Sequence, residues 1–198
     1  MGNREDLLAG ARRCLVEKGW GQTTVRDIAQ ASGGVSHAAI GYHFGSREAL
    51  LTEALVQATA EWGSEFERVV AAAMDSPPAE QFAAMWTHII TSFDRHRPLW
   101  VATFEAFAQA ERSPEVREHL VAGQREGRRG LAALLTGVEE DTIPDGLVRG
   151  VGSVQVALLC GVMMQWLNDP GHAPSSEDLV AGIRAIAARL GPAGPETA

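Results

Sequence analysis

Between Phe82 and Phe93 the large apolar residues are Phe82, Met85, Trp86, Ile89, Ile90 and Phe93, recurring at steps of 3, 1, 3, 1 and 3. That rhythm gathers on one side of a 3.6-residue helix and would scatter over both faces of a strand. Leu7, Leu8, Ala11 and Leu15 repeat it near the N-terminus, as do Leu99, Trp100, Thr103, Phe104 and Phe107 further on. Two-residue alternation is nearly absent. The expected fold class is therefore all-α.

The breaks between helices are chemically legible. Gly19-Trp20-Gly21 offers a left-handed stop for the first helix. Thr24, with Asp27 three residues on, opens a short second helix that buries Val25, Ile28 and Ala29, and Ser32-Gly33-Gly34 ends it. Ser36 is the N-cap of a third, with Val35 stapled onto Ile40, and Gly45 stops it. Ser46 caps a fourth, longer helix running towards Met74, with Glu48 favourably placed in its first turn. Pro77-Pro78, Pro98 and Pro114 open the next three. Gly123, Gly127 and Gly130 are expected to bend or fray the last of these. An acidic loop with Pro144 leads into the most apolar segment, Leu147 to Leu167. Ser175 caps a final helix expected to bury Leu179, Val180, Ile183, Ile186, Ala187 and Leu190. The expected organisation is about nine helices: a domain over 1–50, a larger one over 51–190, and a disordered tail over 191–198.

The net charge of −8 is unevenly spread. Residues 1–50 hold six Lys/Arg against five Asp/Glu, a balance of +1, and the remainder hold eleven against twenty, a balance of −9. A weakly positive head on an acidic body is compatible with a DNA partner, provided the body faces away from the phosphates. No run of eighteen apolar residues suggests a membrane span, and the N-terminus has no basic stretch leading into an apolar core. Cys14 and Cys160 stand far apart on apolar helix faces, which suits free thiols in a reducing cytoplasm.

Two short helices joined by a glycine-containing turn form the helix-turn-helix pattern, whose second helix enters the major groove. That groove is about 12 Å wide, and a slim helix approaches it best. Ala38, Ala39 and Gly41, beside Ser36, His37, Tyr42 and His43, suit the task. Gly41 costs roughly 1 kcal/mol of helix propensity, which the staple and the inward contacts of Ile40 and Phe44 must offset. The same residues also describe a plain helical hairpin in which Gly41 lets two protein helices touch.

The stretch TTVRDIAQASGGVSHAAIGYHFGSREALL resembles the N-terminal region of the TetR family of transcriptional regulators. The likeness spans about residues 4–55 and rests on Thr-Thr, Arg-Asp-Ile-Ala, Val-Ser, Tyr-His-Phe and Ser-Arg-Glu-Ala-Leu-Leu. It departs from the family in a turn one residue longer and in Gly41, where many members have tyrosine. The resemblance implies that Thr24 and Arg26 touch the DNA backbone or groove edge. It likewise implies that Ser36, His37, Ala38 and Gly41 face bases, and that Tyr42 and His43 reach phosphates or bases. Arg47, where the family usually has lysine, would hold a phosphate with the amides that open the fourth helix.

The resemblance further implies a small-molecule effector bound in the body. The candidate lining is Trp86, Ile89, Phe93, Trp100, Thr103, Phe104, Phe107, Met163 and Trp166, with His88, Gln155 and Asn168 as further polar groups. A filled aromatic core would show the same pattern. The last two helices, with Gly150, Ala157, Gly161 and Gly182 allowing close approach, suit a homodimer interface, although burial within one chain would explain them too. A two-fold dimer implies a palindromic operator with half-sites about 34–36 Å apart or a multiple of that. The six histidines show no metal-ligand spacing and no GxSxG or nucleotide-binding turn is present, so neither an enzyme nor a cofactor is expected. The reading is a cytoplasmic repressor released from DNA by its effector. The alternative is an all-α ligand-binding protein whose helix-turn-helix region meets no DNA.

Overall fold

A computed structural model describes residues 3–73 and 76–191 of the 198, and among them the chain forms nine helices and no strand. They are α1 (Asn3–Gln22), α2 (Val25–Ala31), α3 (His37–Phe44), α4 (Arg47–Ala72), α5 (Pro78–Arg95), α6 (Arg97–Ala110), α7 (Pro114–Thr136), α8 (Asp145–Asn168) and α9 (Ser176–Leu190). Met74 and the expected tail beyond Gly191 lie outside the described residues.

The caps hold where the sequence placed them. Thr24 and Asp27 form a reciprocal capping box, and Ser175 and Asp178 form a second. Ser46 accepts from the Ala49 amide, and Ser113 from that of Val116. Ser36 occupies its N-cap position with extended backbone, but its hydroxyl makes no capping bond. Gly33 and Gly34, at φ of +78° and +88°, turn the chain between α2 and α3 through conformations that favour glycine.

Two apolar cores lie along the molecule. The first joins Leu7, Ala11 and Leu15 of α1 to Ile28, Ile40, Leu50 and Leu51, and it also takes in Ala102 and Ala106 of α6 and Val116 of α7. The second gathers Met85, Trp86, Ile89, Phe93, Trp100, Val162 and Met163, with Trp62 and Phe66 of α4 against it. Helix α4 therefore runs from one core into the other.

Two expectations change. Helix α7 does not fray at its glycines: it is continuous over Pro114–Thr136. Beside it α8 contains one wide turn, Val148–Gly152, that presses backbone to backbone on α7. A Cβ at Gly152 would fall 2.1 Å from the Arg128 carbonyl oxygen. The final helix does not bury its apolar residues within the chain, for Ile186 is 62% and Leu190 79% exposed. Leu179, Val180 and Ile183 are half-buried, and Ala187 is exposed. Among the described residues, that side of α9 is left uncovered. Helix α8 is long and apolar enough to cross a membrane by length and composition, with mean hydropathy 1.7, and only 22% of its apolar stretch is buried inside the chain. Both cysteines are free; Cys14 is buried, Cys160 half-buried, and burial raises each thiol above its ordinary pKa.

Candidate nucleic-acid interface

Helix α3 turns one apolar side inward and leaves the other open. Ile40 is buried in the first core, where Val35, Ala39 and Phe44 pack against it. Ser36, His37, Ala38, Gly41 and Tyr42 are all exposed, and Tyr42 reaches 85%. A Cβ built at Gly41 would meet nothing within 4 Å, so this glycine does not mediate contact with another helix of the chain. Tyr42 stands edge-on to His43, ring centroids 4.9 Å apart, and His43 is half-buried. The outer side is thus slim at its middle and polar at its ends.

Neighbouring elements hold α3 at a fixed attitude. The Arg4 guanidinium lies 5.0 Å from the centre of the Phe44 ring and forms a two-pronged pair with Glu53 at 2.6 and 2.8 Å. Asp27 receives hydrogen bonds from Lys18 and from the Thr24 hydroxyl and amide, which hold its carboxyl well below the usual carboxylate range. Thr24 is therefore occupied as a cap while remaining exposed, and Arg26 beside it projects outward.

Arg47 has a different occupation from the one its position suggested. Its Nε donates to the Thr23 carbonyl, one terminal nitrogen to the Trp20 carbonyl, and the other to Glu48 at 2.8 Å. The guanidinium is 20% exposed and clasps the end of α1 to the start of α4. Its planar fork meets one backbone carbonyl of α1 and one of the link to α2, and this satisfies most of its donors before any phosphate arrives.

In the body most of the expected ligand residues gather in or beside the second core. Trp86, Ile89, Phe93, Trp100 and Met163 are buried, while Thr103, Phe104, Phe107 and Trp166 are half-buried. Their rings interdigitate, with Phe93 and Trp100 edge-on at 5.8 Å and Phe104 and Phe107 tilted at 6.4 Å. Thr103 spends its hydroxyl on the Leu99 carbonyl, and Trp100 and Trp166 donate to the carbonyls of Ser92 and Pro174. Asn168 is exposed at the end of α8. Two shallow clefts of about 280 and 370 Å³ lie on α1 and its neighbours, away from these aromatics.

The aromatic seam also includes two residues missed from sequence, Trp62 and Phe66, beside the expected His88. Trp62 and Phe66 of α4 stack at 5.5 Å, Trp62 meets Trp100 edge-on at 4.9 Å, and His88 of α5 lies 6.5 Å from Trp62. The i, i+4 spacing of Trp62 and Phe66 was the available signal. Here Trp62 Nε1, Trp86 Nε1, His88 Nε2 and Gln155 Nε2 are buried without a hydrogen-bond partner. Burial lowers the pKa of His88, which favours its neutral form.

Comparison with known proteins matches residues 7–54 to the bacterial regulatory proteins of the tetR family, and residues 77–193 to the tetracyclin repressor-like C-terminal domain. The chain belongs to the TetR family. A TetR-family relative, the HTH-type transcriptional regulator BetI of Agrobacterium fabrum, is 33% identical over 67% of this chain, a span covering 63% of that relative's length. The HTH-type transcriptional repressor KstR2 of Rhodococcus jostii is 30% identical over 79% of this chain and 72% of its own. The crystal structure of a transcriptional regulator from Rhodococcus sp. RHA1 has a TM-score of 0.69 at 20% identity, covering 91% of this chain and 94% of that one. At that identity the likeness is one of fold.

Proposed function

We propose that this TetR-family chain is a transcriptional repressor that binds a palindromic operator as a homodimer and leaves it when a small-molecule effector occupies the body. The observation that carries the DNA role is the open outer side of α3, with Gly41 facing empty space and Tyr42 fully presented, against an inner side sealed by Ile40. Thr24, Arg26, Ser36, His37, Ala38, Gly41, Tyr42 and His43 form the reading surface. In this reading Arg47 sets the attitude of the head more than it holds a phosphate. Such a protein works in the cytoplasm and carries out no reaction of its own.

The dimer reading is supported by Val154 and Met164 on α8 and by Ile186 and Leu190 on α9, which are 51 to 79% exposed. A second copy presenting the same two helices would cover them around a two-fold axis. The effector reading is supported by the orphaned nitrogens of the second core. An indole N–H and an amide nitrogen can only donate, and a buried donor without a partner costs about 1–3 kcal/mol. The unmet demand is for an acceptor within an aromatic lining. The effector class is therefore a largely apolar molecule bearing carbonyl or carboxyl oxygen, entering where Trp62, Phe66 and His88 are half-buried.

The test is selection of duplex fragments from a random library by the purified protein, followed by sequencing. Enrichment of two inverted half-sites supports the reading. Tyr42→Ala should then weaken binding across sequences and make its salt dependence shallower. If no sequence is enriched at low salt, the alternative of an all-α ligand-binding protein that meets no DNA takes its place.

A further inference from the structure

Helix α6 has two working sides. Trp100 and Phe104 pack into the second core, and Phe107 lies against Phe104. On the other side Ala102 and Ala106 are fully buried in the first core, against α1. Between these two alanines stands Glu105, whose Oε2 accepts a hydrogen bond from the Trp20 backbone N–H at 2.5 Å.

The Trp20 peptide is unusual ground. Gly19, at φ of +76° and ψ of +174°, interrupts the helical path immediately before it. A side chain at Gly19 would place its Cβ 3.1 Å from the same Glu105 oxygen, in a conformation that L-residues rarely adopt. The carboxylate thus reaches the amide only because Gly19 clears the way. The Trp20 carbonyl accepts from Arg47 at the start of α4, and the Trp20 ring is 1% exposed. Thr23 closes the turn by donating to the Gly19 carbonyl at 2.7 Å. One residue of the head is held from below by the body and from the side by α4.

We propose that Glu105 is a positioning residue that latches the DNA-reading head to the aromatic core of the body, so that displacement of α6 by an effector releases the Trp20 peptide. This rests on the regulatory reading above and assigns its transmission to α6. Among the described residues no other hydrogen bond joins α6 to the head. Apart from the Arg47 clasp, the side-chain cross-links of α1 to α4 include Arg4–Glu53 and Arg12–Glu61, exposed ion pairs that contribute little to stability. Ala102 and Ala106 give a contact without direction, which tolerates sliding. A carboxylate on a backbone amide is charge-assisted and directional, and it is lost beyond about 3.5 Å. A shift of α6 by about 1 Å is enough to open it.

Hydrogen exchange on the full-length protein tests the latch. Glu105→Ala should speed exchange of the Trp20 amide at least about tenfold while leaving amides in the middle of α5 unchanged, and Glu105→Gln, which keeps a carbonyl acceptor, should recover part of the protection. Phe104→Ala, a disturbance of the aromatic core, should also speed Trp20 exchange in the wild-type background. That increment should vanish when Glu105 is already alanine, which a merely structural role would not produce. On selected operators with half-site spacing varied by one and two base pairs, the Glu105→Ala dimer should lose the wild-type preference for one spacing. Unchanged Trp20 exchange in Glu105→Ala overturns the latch, and additive effects of the two substitutions overturn the coupling, whatever the DNA result. Unaltered spacing preference in a protein that does bind DNA overturns the positioning role. A wild-type protein that binds no DNA brings down the regulatory reading and this proposal with it, and the exchange data then describe a structural bond alone.

Discussion

Gly152→Ala is expected to be the most damaging methyl group that can be added to this chain's body. The new Cβ would stand 2.1 Å from the Arg128 carbonyl oxygen, 2.9 Å from its carbonyl carbon and 3.1 Å from its Cα. Ordinary contact begins at 3.4 Å, so α7 and α8 must part by about 1.3 Å where they touch. The obstacle is backbone, which no rotamer change can move. Overpacking of a well-filled site costs about 1–3 kcal/mol, and a backbone clash belongs at the upper end. Replacing glycine in a helix returns roughly 0.8–1 kcal/mol. A net loss of about 2 kcal/mol should lower Tm by roughly 4–8 °C for a chain of this size. Gly123→Ala is the matched control. It lies exposed in α7 with nothing within 4 Å of its Cβ, so only the propensity gain remains and Tm should rise by about 2–4 °C. Thermal melts followed by circular dichroism, at one fixed protein concentration, would show both shifts. If the two variants move Tm in the same direction, or Gly152→Ala costs under about 1 kcal/mol, the tight α7–α8 seam is refuted.

Arg47→Lys separates the two uses of that side chain. As a clasp on two carbonyls it should cost about 1–2 kcal/mol in urea unfolding and leave the salt slope of DNA binding unchanged. Arg47→Ala would lower that slope by about one only if Arg47 holds a phosphate. For Asp27, whose folded pKa is depressed by Lys18 and Thr24, the stability contribution is complete above the unfolded value near 3.9 and is lost as pH falls towards the folded one. The stability gap between wild type and Asp27→Asn should accordingly be wide at pH 7 and shrink below about pH 4 in urea titrations. Ile186→Asp should shift the sedimentation coefficient from dimer to monomer at micromolar concentration, and an unchanged value would exclude α9 from the interface. In calorimetry, 2-naphthoate should bind more tightly than 2-naphthyltrimethylammonium and lose about tenfold on Trp62→Phe, which removes one donor but keeps an aromatic ring. Preference for the cation would overturn the acceptor-bearing class.

Helix limits were readable because they are written in local chemistry. Thr24–Asp27 and Ser175–Asp178 are capping boxes in sequence and in space, and each proline at 78, 98 and 114 lies in the first turn of a helix. The sidedness of α3 was equally legible, since Ile40 and Phe44 mark the inner face at i, i+4. What escaped depends on partners distant in sequence. No local pattern says that Arg47 will find the Trp20 carbonyl, or that Gly152 of α8 will approach the Arg128 backbone of α7. The aromatic stripe of α5 and α6 announced a cluster but not that Trp62 and Phe66 of α4 would join it. Amphipathic spacing marks the last helix for burial but does not say which chain supplies the cover.

The first core is roofed by residues from two later helices, with Ala102, Ala106 and Val116 closing over Leu7, Leu15 and Leu50. A fragment cut after α4 begins would leave those leucines facing water, so the N-terminal helices are not a cassette that can be transplanted freely. A hybrid that grafts them onto a foreign body must bring two small residues and a valine at matching places. Diversification of such a regulator is thereby channelled into point changes inside one shared frame instead of wholesale exchange of its halves.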